Sequence, residues 1–188
     1  MLDMACIKLA LEDSIRKQQL EEVVAVFDEL KRRGFQKIIV IGGSFGGYMA
    51  AMLAAKREVH ALVLRAPANY PDEDLTVPFK SKPRSYPYPD FLETKESDDL
   101  LAKSAATLSV QKFNGPVYVL EHELDEIVAA KVPRQYFAAA GQGNYLLVPK
   151  TTHSPRTMRH PEKHFAYIEH LITSIIGAIQ LQDTLTDD

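Results

Sequence analysis

Ser44 stands in the run Gly42-Gly43-Ser44-Phe45-Gly46-Gly47, directly after the β-branched segment Lys37–Ile41 and directly before the Ala-, Met- and Leu-rich segment Tyr48–Lys56. A serine in the pattern G-x-S-x-G between a strand and a helix occupies a nucleophile elbow. The turn is tight and strained, and side chains at Gly42 or Gly46 are expected to collide with the neighbouring strand and helix. Ser44 Oγ then projects into a cleft, and the Phe45 N–H points to where a tetrahedral oxyanion would form, reinforced by the positive end of the helix. Two phosphate-binding alternatives fail on residue type. A dinucleotide fingerprint needs Gly at position 44, and a P-loop needs Lys after Gly47, where Tyr48 stands.

A serine nucleophile needs a base, and the base needs an orienting carboxylate. When the nucleophile sits on an elbow of this kind, the chain order is serine, then acid, then histidine. The acid should follow the carboxyl end of a strand. Val117–Leu120 reads as one, and Glu121-His122-Glu123-Leu124-Asp125-Glu126 follows it. Glu121 and His122 lie too close to the strand to reach the cleft, so Asp125 is the expected acid, with Glu123 as the alternative. The base should follow the last strand, Tyr145–Val148, where Pro149-Lys150-Thr151-Thr152 leads to His153. His160, His164 and His170 fall at or within a helical segment, and His60 begins a strand at its wrong end. His160 and His164 are four apart but lack the Glu of a zinc-hydrolase helix, so no metal site is expected. Cys6 has no partner-histidine signature and is not expected to act as a nucleophile.

These residues are positioned by an alternation of helices and strands. Leu20, Val23, Val24, Phe27 and Leu30 follow helical spacing between Gln19 and Arg33, with acidic residues early, basic residues late, and Gly34 at the end. Lys37–Ile41 is a short, unbroken β-branched run bounded by glycines, as expected of a strand buried on both faces, and Val59–Leu64 reads as a second buried strand. Helices are predicted near Asp98–Val110, Val132–Ala140 and Pro161–Leu181, and the acidic tail Asp183–Asp188 is predicted to fray. Buried strands separated by helices imply a three-layer α/β/α domain with a mostly parallel sheet, its site beyond the carboxyl ends of the strands. The chain reads as a single domain over 1–188 with a lid-like loop insertion at 67–97. Six of the 11 prolines fall between Pro67 and Pro89, and the segment shows no helical or strand period. Tyr70, Tyr86 and Tyr88 make it a candidate wall of a substrate pocket. Lys80, Lys82 and Arg84 in the same loop read as solvated charges.

Composition bounds what else the chain could do. Its 188 residues suffice for one domain with a real core. A net charge of −3 offers no basic excess to hold a phosphate backbone, so no nucleic-acid partner is expected. The apolar stretches near Ile38–Ile41 and Ile172–Ile179 are far shorter than the roughly 18 residues of a membrane span. No basic region precedes an apolar run at the start, so no signal peptide is expected. A single cysteine fits a reducing compartment, and a cytoplasmic location without membrane association is the resulting expectation.

From about Gln19 to its end, the chain resembles the α/β-hydrolase superfamily. Ile39-Val40-Ile41-Gly42-Gly43-Ser44-Phe45-Gly46-Gly47-Tyr48 is similar to the dienelactone hydrolase and prolyl-oligopeptidase branches, as is Gly115-Pro116-Val117 through Asp125-Glu126-Ile127-Val128. Ala129 stands where those branches continue with proline. The resemblance implies Ser44 as nucleophile, His153 as general base and acid, and Asp125 as its orienter. It implies action on an ester, thioester or amide bond of a small-molecule or peptide substrate through an acyl-enzyme, without cofactor or metal. Members of the superfamily carry further strands ahead of the helix placed at Gln19–Arg33, and a loop there supplies a second oxyanion donor, often in a His-Gly-Gly-type motif. Only about 18 residues precede that helix here, without such a motif, so an N-terminally truncated fold of about four strands is expected. The elbow strand would then lie near a sheet edge, with homo-oligomer formation through that edge as a consequence.

Overall fold

Four short runs of β-branched residues and leucine form four strands, and the intervening segments with helical spacing form the helices that cover them. The computed structural model describes residues 15–78, 95–141 and 143–186. In chain order the elements are α1 (Arg16–Arg32), β1 (Ile39–Gly43), α2 (Phe45–Ala54), β2 (Ala61–Arg65), a 3₁₀ turn (Asp72–Thr76), α3 (Lys95–Ala102) and α4 (Ala105–Lys112). They continue with β3 (Val117–Leu124), α5 (Lys131–Ala139), β4 (Asn144–Thr152), a second 3₁₀ turn (Pro155–Thr157) and α6 (Pro161–Thr186).

The strands lie in the order β1-β2-β3-β4, each parallel to its neighbours. Spatial order therefore follows chain order, and right-handed crossovers place every connecting helix on one face. The packing agrees. Leu62, Leu64, Val117 and Val119 point to the face that buries Tyr48, Met49 and Leu53 of α2, Val110 of α4, Val132 and Tyr136 of α5, and Leu20 and Phe27 of α1. The alternate residues Ala61, Val63, Tyr118, Leu120 and Val148 face Ile168, Ile175 and Ile179 of α6. Those isoleucines share one stripe of α6 at near-helical spacing, and burying each contributes about 1.5–3 kcal/mol. Alternation along the strands thus sorts side chains into two cores, giving the expected three layers.

Three expectations about the elements change. The helix predicted near Asp98–Val110 is two helices, because a buried polar knot interrupts it. Ser104 caps α4 by accepting from the Thr107 N–H, and its hydroxyl donates to Asn69 Oδ1. Asn69 Nδ2 in turn donates to the Leu101 carbonyl and to Thr107 Oγ1. The tail does not fray at Asp183: α6 runs on to Thr186, and the Asp183 carboxylate meets Lys37 Nζ at 3.2 Å and His60 Nε2 at 2.9 Å. Finally, β3 and β4 extend past Leu120 and Val148, because Leu124 pairs with Thr152 beyond an irregularity in register. Much of the 67–97 segment, including Tyr86 and Tyr88, and the residues up to Ser14, including Cys6, lie outside the described residues. The described part of that segment holds the Asp72–Thr76 turn and a bridge between Pro78 and Ile15.

Candidate active site

The tight turn at Ser44 follows from how closely α2 returns over β1. Ser44 adopts φ 52° and ψ −120°, in the left-handed half of backbone space that a non-glycine residue avoids. Such a conformation costs on the order of 1–3 kcal/mol and persists only where its surroundings hold it. Here the Ser44 N–H donates to the Arg65 carbonyl at 2.9 Å. The Ser44 carbonyl accepts from Gly47 N at 2.9 Å, Tyr48 N at 3.3 Å and Ala68 N at 3.0 Å. The serine is therefore tied to β2, to the first turn of α2 and to the loop after β2.

The glycines divide differently from expectation. A Cβ on Gly42 would lie well inside 3.0 Å of the Gly46 carbonyl and the Gly47 nitrogen, all of it backbone. On Gly43 it would meet Arg65 Nη2 at 2.6 Å, and on Gly47 the Pro67 Cβ at 2.8 Å. A Cβ on Gly46 would meet nothing within 4 Å. The steric requirement expected of both glycines flanking the motif holds at Gly42 and not at Gly46. Gly46 supplies the backbone that excludes a side chain at Gly42.

Asp125 and His153 each follow the carboxyl end of a strand by one residue, β3 and β4 respectively. Ser44 follows β1 in the same way, so all three reach one edge of the parallel sheet. The His153 Nδ1–H donates to Asp125 Oδ2 at 2.9 Å, and the Ser44 hydroxyl donates to His153 Nε2 at 2.9 Å. These proton positions follow from the acceptors: an ionised carboxylate can only accept, which leaves Nε2 to accept from Ser44. The side chains of Asp125 and His153 are 5% and 15% exposed, so the pair is largely withdrawn from water. Burial pushes the Asp125 pKa up. Hydrogen bonds from His153 and from the Val128 and Ile127 amides outweigh burial and hold it below the ordinary carboxylate value.

Beneath this trio lies a layer of contacts that sequence reasoning missed. Between the pairs His122–Val148 and Leu124–Thr152, one residue of β3 faces three of β4. This bulge contains Pro149, which has no N–H, and Lys150 at φ 49°. A bulge of this kind bends its strand and redirects the residues after it. Here those residues are Thr152 and His153. Glu123, the alternative acid, accepts from the Lys150 N–H at 2.6 Å and so stitches the bulge together. Glu126 accepts from the His153 N–H at 3.0 Å. His122 is 2% exposed and donates through Nδ1 to the Thr152 carbonyl at 2.8 Å. Its Nε2 lies 3.4 Å from Arg65 Nη1. Burial first, and the Arg65 charge in addition, push the His122 pKa below the usual histidine value, against the upward pull of the Thr152 bond. Glu121 points to the α5 side, where its 4%-exposed carboxylate accepts two bonds from Arg134 and one from the Tyr145 hydroxyl. No local pattern announces the bulge or the clamps, because both depend on the register between β3 and β4.

Phe45 opens α2, which puts its amide at the positive end of that helix. Its ring lies 6.2 Å from Tyr48 and 6.1 Å from Tyr70. Tyr70 is 7% exposed, sits edge-on to Tyr48 at 5.0 Å, and carries the Arg16 guanidinium 4.3 Å from its ring centre. The ring thus belongs to the core behind Phe45. Among the described residues, no three His, Cys, Asp or Glu side chains gather as metal ligands. None of the described helices is long and apolar enough to cross a membrane.

The fold is that of the α/β hydrolases. Similar solved structures include Est1E from Butyrivibrio proteoclasticus with ferulic acid bound, at 22% identity and TM-score 0.59, covering 88% of this chain and 71% of that one. A monoacylglycerol lipase from Paleococcus ferrophilus shows 18% identity and TM-score 0.53, covering 82% and 75%. A predicted CIB-like hydrolase from Thermoplasma acidophilum shows 15% identity and TM-score 0.52, covering 85% of this chain. The chain spans 63% of that protein's length. No curated protein matches the sequence. The model of UPF0227, an uncharacterised protein family, matches residues 3–171, and the chain belongs to that family.

Proposed function

We propose that this UPF0227 member is a serine hydrolase that cleaves an ester, thioester or amide bond through an acyl-enzyme. The observation that carries the reading is the hydrogen-bonded line from Ser44 Oγ through the His153 ring to Asp125, each link 2.9 Å. His153 Nε2 takes the Ser44 proton as Oγ attacks the carbonyl carbon, and Asp125 stabilises the imidazolium that forms. The oxyanion develops near the Phe45 amide at the head of α2. Collapse of the tetrahedral intermediate expels the leaving group, which takes the proton from His153. Water then attacks the acyl-Ser44 with His153 as base, releasing the acid and restoring the serine. The esterase and lipase names among the fold neighbours favour an ester over an amide. Purified protein should hydrolyse short p-nitrophenyl or thioesters, and Ser44→Ala should abolish the turnover. Equal rates for wild type and Ser44→Ala would end the proposal.

A second reading rests on β1. Among the described residues it hydrogen-bonds only to β2, and Ile41 on its face is 45% exposed. Pairing of two copies through this edge would cover both features. Light scattering should then give a dimer mass that Ile41→Lys reduces to a monomer; a wild-type monomer at tens of micromolar rules the pairing out.

A further inference from the structure

The line from Ser44 to Asp125 leaves open what fixes the histidine between them. His153 lies just past a bulge, one residue beyond the end of β4, in a stretch that begins with a left-handed residue at Lys150. The ring must nonetheless reach two partners at 2.9 Å in opposite directions. The peptide group that joins Thr152 to His153 is held at both of its polar ends, and both are held by the segment that carries Asp125. Before it, the Thr152 carbonyl accepts from His122 Nδ1 at 2.8 Å. At it, the His153 N–H donates to Glu126 Oε2 at 3.0 Å.

We infer that His122 and Glu126 form a two-point clamp that positions the His153 backbone over the Asp125 loop, so that base and acid move as one unit. The inference rests on the reading of His153 as the general base. His122 and Glu126 flank Asp125 in the chain, three residues before it and one after it, and the Asp125 N–H donates to the His122 carbonyl at 3.2 Å. Asp125 itself bridges to the Ile127 and Val128 amides. The segment from His122 to Val128 is thus self-bonded and grips Thr152 and His153 at three places.

The His122 end of the clamp has a built-in direction. A guanidinium can only donate, so Arg65 beside Nε2 keeps that nitrogen as the acceptor and places the ring proton on Nδ1, facing Thr152. A second ring proton would point at the Arg65 charge. Arg65 is placed for this by Gly43, whose missing side chain leaves the space that the guanidinium fills. One glycine of the elbow therefore serves the histidine end of the site. The Glu126 end sits at the surface, where the exposed carboxylate spends its bond on a single amide.

Conservative and disruptive variants separate positioning from mere structure. His122→Asn keeps an N–H near the Nδ1 position, whereas His122→Gln keeps a polar atom near Nε2 and loses the donor to Thr152. Glu126→Gln keeps an acceptor for the His153 N–H, and Glu126→Ala removes it. Glu126 is exposed, so its variants test the clamp even where a His122 variant fails to fold. The first readout is the second-order rate of Ser44 labelling by a fluorophosphonate. The second is the deshielded proton that NMR records for a histidine Nδ1–H bonded to a carboxylate. His122→Asn and Glu126→Gln should label within about threefold of wild type. His122→Gln and Glu126→Ala should be slower by roughly 10–100-fold, the scale expected when a reacting group is misplaced by a fraction of an ångström to an ångström. Their Nδ1–H signal should broaden or disappear. The clamp is refuted if the disruptive variants label at the wild-type rate, or if each conservative variant falls as far as its partner. Failure of wild type to label at all would remove the hydrolase reading. The NMR signal would still decide the clamp, which is refuted by a proton that survives unchanged in Glu126→Ala and His122→Gln.

Discussion

Replacing Gly42 with alanine adds one methyl group at the glycine with the closest backbone neighbours. That carbon would lie inside 3.0 Å of the carbonyl of Gly46 and the nitrogen of Gly47. Neither can rotate away as a side chain could, since both belong to the first turn of α2. Overpacking a tight site costs about 1–3 kcal/mol, and a clash with main chain on both flanks belongs at the upper end, about 3 kcal/mol. For a domain of this size each kcal/mol lowers the melting temperature by about 2–4 °C, so Gly42→Ala should melt about 6–12 °C below wild type. Relief can come only by moving α2 away from β1, which carries Ser44 off the His153 ring. Gly46→Ala is the matched control. The same methyl group, four residues on, meets nothing within 4 Å and should leave the midpoint within about 2 °C of wild type. Differential scanning calorimetry on the two variants reads the contrast directly. Equal midpoints, or a lower one for Gly46→Ala, would refute the packing account of the elbow.

Two further outcomes concern Asp125. Asp125→Asn presents an amide to His153 Nδ1 in place of a carboxylate, which favours the wrong ring tautomer. Turnover should fall by about 10⁴-fold with the fold retained, measured as kcat on an activated ester with circular dichroism as the control. Acid should also weaken the native state through this residue. Its folded pKa is depressed, so its contribution to stability is complete above the unfolded carboxylate value of about 3.9 and is lost as pH falls through the lower, folded value. Urea melts between pH 6 and pH 2 should show that loss in wild type and a smaller one in Asp125→Asn; identical pH dependences would contradict the assigned bonds.

Legibility in the sequence tracked how local each determinant is. The placement of Ser44 in a turn between a strand and a helix is readable because the glycines, the β-branched run before them and the helical run after them are contiguous. The position of Asp125 and His153 at the same sheet edge as Ser44 is readable because each follows the end of an apolar run in a parallel sheet, and the fold fixes which edge those ends share. Glu123, Glu126 and His122 were not readable as supports for the site. Their roles depend on three residues of β4 facing one of β3, a register that no short window encodes. The break at Ser104 and the persistence of α6 past Asp183 have the same origin. One depends on Asn69 and the other on Lys37 and His60, partners far away in the chain. The pocket assigned to Tyr70 rested on an aromatic residue in an irregular segment, and such a segment does not reveal which way a ring turns. The structure turns this one inward, under the guanidinium of Arg16.

The central claim is that Ser44 is a nucleophile activated by His153. Intact-mass spectrometry of the chain after treatment with a fluorophosphonate probe tests it most directly. Wild type should gain one adduct, mapped by peptide sequencing to Ser44, with Ser44→Ala gaining none and His153→Ala labelling at least about a hundredfold more slowly. An unlabelled wild type, or an adduct that persists in Ser44→Ala, would contradict it.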